Sequence, residues 1–347
     1  MKFDINTLVR ENVKVLKPYS SARDEFEDFD TAQMVFLDAN ENPFENGVNR
    51  YPDPQQASVK AVLGKMKNLS TKQILLGNGS DEVLDLLFRA FCEPKIDNVI
   101  TLPPTYGMYG VLANINNVEN KEILLSNDFH PEVESILAAV THSTKIIFLC
   151  SPNNPTGNSF STESVTTLLE KFNGFVVIDE AYIDFSEKAS WLAKLDLYPN
   201  LIITQTLSKA YGLAGIRLGI CYASAEVIAV INKIKPPYNV NELTQQRALE
   251  RLSNEAKIQN EITSIIAQRT ELLQVLDKVS FVEKIYPTEA NFILIKVDNA
   301  NQRYAELIAK GIVIRNRTTQ PLCENCLRLT IGTAEENKKL MEALKNC

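Results

Sequence analysis

Short apolar runs alternate with amphipathic segments through the middle of the chain. QILLGNGSDEVLDLLFRAFC reads as strand, glycine turn and helix, and NVITLPPTYGMYGVLANI as strand, loop and helix. TKIIFLC and FVVID are strands separated by the helical TESVTTLLEKF, and NLIIT is another strand. This alternation predicts βαβ units and an α/β fold with a mostly parallel sheet covered by helices on both faces. After KIKPPYNV the texture changes: a helical stretch from roughly 242 to 276 spaces its apolar residues at threes and fours. NFILIKV, GIVIRN and CLRLTIG then give three short strands with helices between and after them, a smaller α+β layer. Residues 1–35 read as a short amphipathic helix followed by the charged SSARDEFEDFD, too poor in apolar side chains to fold alone. The expected organisation is an arm (1–35) packed on the small domain or on a partner, a large domain (36–240) and a small domain (241–347).

A chain of 347 residues can bury the cores of two domains. Its formal net charge of −7 disfavours a general affinity for nucleic acid or anionic membrane, while leaving room for a local basic pocket. Charges interrupt MKFDINTLVRENVKVLK every few residues, so it has no signal-peptide core, and no apolar run approaches the length of a membrane span. A cytoplasmic location is the expectation. The six cysteines are scattered, as suits reduced thiols. Cys323 and Cys326 form one CxxC, but no second ligand pair accompanies it and His130 and His142 lie far off in sequence, so no metal is expected.

In open α/β sheets ligands bind outside the carboxyl ends of the strands. IIFLC ends in SPNNPTG with Asn154, FVVID ends at Asp179 with Tyr182 close behind, and LIIT runs into Thr206, Ser208 and Lys209. Each residue alone has an ordinary explanation: a turn, a helix cap, a packed ring, a solvated lysine. Their convergence on one edge favours a site. GNGSDE enters an amphipathic helix with Ser80 or Asp81 placed to cap it, and a glycine-rich helix start also suits a phosphate. It matches neither the P-loop nor the dinucleotide fingerprint. Arg217 follows Lys209 by eight residues across AYGLAGI, and its planar fork suits phosphate as well.

SPNNPTG, DEAY, TLSKAYGLAGIRLG, LDANENP, RYPDP and PPTYGMY together resemble the fold-type I, pyridoxal-phosphate-dependent aminotransferases, over roughly Tyr19 to Thr333. RYPDP, PPTYGMY and CLR point more narrowly to the histidinol-phosphate branch of that family. The resemblance implies that Lys209 carries pyridoxal 5′-phosphate covalently and moves the proton, that Asp179 binds the pyridine nitrogen, and that Tyr182 and Asn154 hold the phenolic oxygen while Tyr106 stacks on the ring. It implies phosphate contacts from Gly79, Ser80, Asp81, Thr206, Ser208 and Arg217, and from Tyr51 across a homodimer. It places Tyr19, Asn291, Arg315 and Arg328 against substrate, for transfer of an amino group between L-histidinol phosphate and 2-oxoglutarate in histidine biosynthesis. An aromatic-amino-acid aminotransferase, an L-threonine-phosphate decarboxylase and a non-catalytic ligand sensor of the same fold stay open as alternatives.

Overall fold

Ile74 and Leu76 join one apolar core, while Leu75 between them joins another. The same split sets Ile147 and Leu149 against Ile146 and Phe148, and Val176 and Ile178 against Phe175 and Val177. Successive side chains of a strand point to opposite faces, so a run that is apolar throughout belongs to a sheet buried on both sides. The computed structural model describes residues 3–18 and 35–345; Tyr19 and the SSARDEFEDFD stretch lie outside the described residues.

The large sheet consists of β1 (Ile74–Asn78), β2 (Asn98–Thr101), β3 (Glu119–Glu122), β4 (Thr144–Cys150), β5 (Phe175–Asp179), β6 (Leu201–Thr206) and β7 (Leu218–Tyr222), in the order β1-β7-β6-β5-β4-β2-β3. From β3 to β6 neighbouring strands pair parallel, and β7 is antiparallel to both β6 and β1. Helices α2 (Ala57–Lys67), α5 (Val133–Ala139) and α6 (Thr162–Lys171) bury Leu63, Ile136 and Leu168 in the first core. Helices α3 (Ser80–Phe91), α4 (Met108–Ile115) and α7 (Ala225–Asn232) bury Leu87, Leu112 and Ile228 in the second. The arm, expected on the small domain or a partner, is otherwise placed in its first part. Leu8, Val9 and Val13 around the one-turn helix α1 (Glu11–Val15) enter the second core, Phe3 meets the Phe175 ring edge-on at 5.6 Å, and Arg10 pairs with Glu93 at 3.1 Å.

The stretch read as one long helix is two, α8 (Glu242–Leu252) and α9 (Glu255–Leu276). The first ends at Ser253 and Asn254 caps the second, its side chain accepting the Lys257 N–H at 3.2 Å; apolar spacing alone does not register a cap inside a periodic run. The small sheet has four antiparallel strands, β8 (Val282–Ile285), β9 (Phe292–Val297), β10 (Arg315–Asn316) and β11 (Cys326–Thr330), in the order β10-β11-β9-β8. Strand β8 had no apolar signature to announce it, and only the last two residues of GIVIRN pair. With α9, α10 (Ala300–Ala309) and α11 (Ala334–Lys345), one face of this sheet builds a third core around Ile293, Ile295, Leu327 and Leu329. Phe292 and Leu294, on the opposite face of β9, join the first core of the large sheet. Arg328 alternates with Leu327 and Leu329 and so shares that inward face.

Strand β7 lies tight against the turn into α3. A Cβ on Gly219 would stand 2.2 Å from the Ser80 backbone nitrogen and 2.4 Å from the Gly79 carbonyl carbon, closer than atoms can approach. We expect Gly219→Ala to cost about 1–3 kcal/mol or more, as forced overpacking does. Urea unfolding reads this directly, and an unchanged midpoint would contradict the seam as described.

Candidate active site

The parallel strands β2, β4, β5 and β6, buried on both faces, display polar side chains mainly toward their ends, and the carboxyl ends of β4, β5 and β6 gather Asn154, Asp179, Thr206 and Lys209. Asp179, the last residue of β5, is buried. Its Oδ2 accepts the Tyr109 hydroxyl at 2.9 Å and its Oδ1 the Ala181 N–H at 3.2 Å. Burial pushes the carboxyl upward, and these two hydrogen bonds pull it back toward the charged form. Tyr109 is itself enclosed, stacked on Phe148 at 5.0 Å with the Tyr106 ring edge-on at 5.6 Å. The sequence reading used Tyr106 of PPTYGMY and missed Tyr109, three residues on along the start of α4.

Gly79, Ser80, Asp81, Thr206, Ser208 and Arg217 do come together. Neither Ser80 nor Asp81 caps α3, as had been expected; the N-cap is Gly79, at φ +80°, with no side-chain cap. The first N–H groups of the helix are therefore left for another acceptor. Gly79 N–H donates to the Arg217 carbonyl at 2.9 Å, and a Cβ on Gly79 would fall 2.6 Å from the Arg217 guanidinium. That guanidinium reaches Ser208 Oγ at 3.4 Å and Asp81 at 3.8 Å, and Asp81 also accepts the Tyr106 hydroxyl at 3.0 Å. Thr206 and Ser208 hydroxyls lie 3.0 Å apart. An uncapped helix start, two hydroxyls and an arginine form a cradle for a phosphate dianion.

Lys209 Nζ lies 5.8 Å from the centre of the Tyr182 ring. Burial first, then Arg328 and Arg217, lower its affinity for a proton, with Asp179 and Asp81 acting the other way. The balance makes the neutral amine, the form that can attack a carbonyl carbon, easier to reach than in a solvated lysine. Tyr182 packs edge-on against Phe292 at 5.1 Å, and burial holds its hydroxyl protonated. The Arg328 guanidinium sits over the same Phe292 at 5.1 Å and hydrogen-bonds the side-chain oxygen of Asn154. Burial and the neighbouring Arg317 and Arg315 pull Arg328 down to about 10. Arg315 is its cross-strand neighbour, and none of the three arginines pairs with a carboxylate among the described residues. Arg317 was not among the residues read from the sequence.

Two predicted residues are placed apart from this cluster or beside it by their backbone. Tyr51 stacks on Tyr238 at 4.6 Å and lines a separate cavity of about 410 Å³ with Glu41, Arg50, Asn241 and Leu243. Asn291 is half-buried just before β9, its carbonyl accepting the Ile331 N–H at 2.9 Å. Tyr19 lies outside the described residues, and no group of three or more metal-ligating side chains occurs among those described.

Residues 27–344 match the family described as aminotransferase class I and II. The chain belongs to that family. A histidinol-phosphate aminotransferase of Flavobacterium johnsoniae is 78% identical over 343 residues, covering 99% of this chain and 98% of the relative. Among solved structures, the histidinol-phosphate aminotransferase of Clostridium acetobutylicum superposes with a TM-score of 0.80 at 24% identity, over 86% of this chain and 90% of that one. The Sinorhizobium meliloti enzyme of the same name, solved in complex with pyridoxal-5′-phosphate, gives 0.79 at 23% identity, over 86% and 82%. This aminotransferase has the family's fold, the mostly parallel seven-stranded sheet with a separate antiparallel one.

Tyr109→Phe removes a hydrogen bond that favours the charged form of Asp179, so the carboxyl moves further up. A group whose folded pKa is raised adds stability below its unfolded pKa and loses it as pH rises through the folded one. The substitution should therefore cost about 1–3 kcal/mol near pH 8 and less near pH 5. Urea melts at the two pH values check this; a loss independent of pH would contradict the role given to the hydroxyl.

Proposed function

We propose that the chain transfers the amino group of L-histidinol phosphate to 2-oxoglutarate, giving imidazole acetol phosphate and L-glutamate in histidine biosynthesis, with pyridoxal 5′-phosphate bound at Lys209. The carrying observation is Lys209 held in electrostatic reach of two separate cationic sites, the Arg217 cradle and Arg328. One site suits the phosphate of a cofactor and the other the anionic end of a substrate. The relative's name supports the choice of donor.

In this reading Gly79, Ser80, Asp81, Thr206, Ser208 and Arg217 bind the cofactor phosphate and Tyr106 covers the ring. Asp179 would hold the ring nitrogen protonated, and Tyr182 and Asn154 would hold the phenolic oxygen. When bound, the cofactor supplies an electron sink for the charge that develops on the substrate carbon. Lys209 Nζ would act as the general base that takes the proton from that carbon and then as the general acid that gives it back. Arg315 and Arg328, with Tyr19 and Asn291, bind the substrate's anionic end, a phosphate in one half-reaction and a carboxylate in the other.

We further propose that the enzyme works as a homodimer in the cytoplasm, with Tyr51 of the partner subunit completing the phosphate site. Val35, Leu37, Phe44 and Leu243 are exposed, the last beside Tyr51, and a second copy would cover such an apolar face. Residues 36–240 and 241–347 are taken as its large and small domains, with 1–35 as the arm.

Lys209→Ala should abolish turnover while leaving cofactor able to bind without a covalent link. The donor is settled by single-turnover absorbance with histidinol phosphate, phenylalanine and threonine phosphate. Histidinol phosphate should convert the long-wavelength cofactor band fastest; faster conversion by phenylalanine, or carbon dioxide released from threonine phosphate, would overturn the assignment.

A further inference from the structure

Eight buried side-chain polar atoms have no partner among the described residues, and four of them belong to the hairpin between β10 and β11: Arg317 Nε, Thr318 Oγ1, Gln320 Oε1 and Arg328 Nε. A buried polar group without a partner costs free energy, and four on one short hairpin are unusual for a surface whose only task is packing. The backbone accounts for its own groups here. Arg317 N–H donates to Cys326 O at 2.8 Å, Gln320 N–H to Arg317 O at 2.9 Å, and Thr318 N–H to Asn316 Oδ1 at 2.9 Å. The hairpin is thus well tied while its side chains are left open. Arg317 donates no side-chain hydrogen bond and makes no ion pair among the described residues, although it lies near enough to Arg328, Arg315 and Tyr182 to interact electrostatically with each. Gln320 lies on the far side of the same hairpin, lining with Pro321 a cleft of about 150 Å³ against Thr105 and Tyr106.

We propose that Arg317 is a specificity residue: a third guanidinium, beside Arg328 and Arg315, that selects a phosphate monoester over a singly charged or neutral group at the substrate's far end. This rests on the functional reading above. Three guanidinium groups without a carboxylate repel one another, and each added cation makes the unfilled site less favourable. An anion of charge near −2 compensates that repulsion more fully than a carboxylate of charge −1, and its three oxygens can accept from Arg317 Nε as well as from Arg328. The third arginine therefore acts chiefly on the phosphorylated substrate, by binding rather than by chemistry.

The test is titration calorimetry of the holoenzyme with L-histidinol phosphate and with L-histidinol, for wild type, Arg317→Gln and Arg317→Lys. The loss of a charge-assisted hydrogen bond predicts binding of histidinol phosphate about ten- to a hundredfold weaker in Arg317→Gln. Histidinol should bind within about threefold of wild type, and Arg317→Lys should recover much of the loss because the charge is kept. In turnover Arg317→Gln should raise KM for the phosphorylated donor and leave kcat close to wild type. Unchanged affinity for histidinol phosphate in Arg317→Gln, or equal weakening of both ligands, would overturn the proposal. Failure of the underlying reading has a different signature, namely wild-type enzyme that binds histidinol phosphate without transferring its amino group.

Discussion

Burying both faces of the four parallel strands β2, β4, β5 and β6 leaves polar chemistry few places to stand. Along β4 from Ile146 to Cys150 and along β5 from Phe175 to Ile178 every residue is apolar and faces one core or the other, the first ionisable group on β5 is Asp179 at its end, and β6 turns polar at Thr204 and Gln205 toward that same end. The loops that follow carry Asn154, Tyr182 and Lys209 to the same edge, so the position of the site follows from the burial of the sheet. The antiparallel β7 then returns Arg217 and Gly219 beside β1 and the start of α3, where only a glycine fits. The phosphate cradle is in this sense a by-product of how the sheet's β1 edge is closed. The small sheet faces the large one through Phe292, on which Tyr182 and Arg328 both pack.

The electrostatics of the site run against those of the chain. A molecule of net charge −7 concentrates Lys209, Arg217, Arg315, Arg317 and Arg328 around two buried or half-buried carboxylates, Asp179 and Asp81. Asp81 is drawn toward Arg217 and Tyr106, and Asp179 toward Tyr109, so neither carboxylate neutralises the arginines of the small sheet. Burial first and then this surplus lower the proton affinity of Lys209, and the surplus leaves the arginines without a carboxylate partner among the described residues.

Much of this was legible in the sequence because strand ends and glycine turns write themselves locally. Asn154, Asp179 and Lys209 each follow an apolar run, and SPNNPTG and SKAYGLAGIR carry their spacing within one segment. What escaped depends on contacts between distant segments. Tyr109 looks like one more aromatic on an amphipathic helix until β5 places Asp179 2.9 Å from its hydroxyl. Arg317 looks like a hairpin charge until β11 sets Arg328 next to it. Strands β3 and β8, ENKE and VEKI, are edge strands whose half-exposed polar residues give no apolar signature. The break at Asn254 is a capping event that the spacing of apolar residues does not record.

The central claim is that Lys209 is the amine placed to hold a carbonyl cofactor, and reductive trapping addresses it most directly. The holoenzyme is reduced with borohydride, digested, and its peptides mapped by mass. The account predicts the mass of reduced pyridoxal phosphate on Lys209 alone. A label on any other lysine, or none, would contradict it.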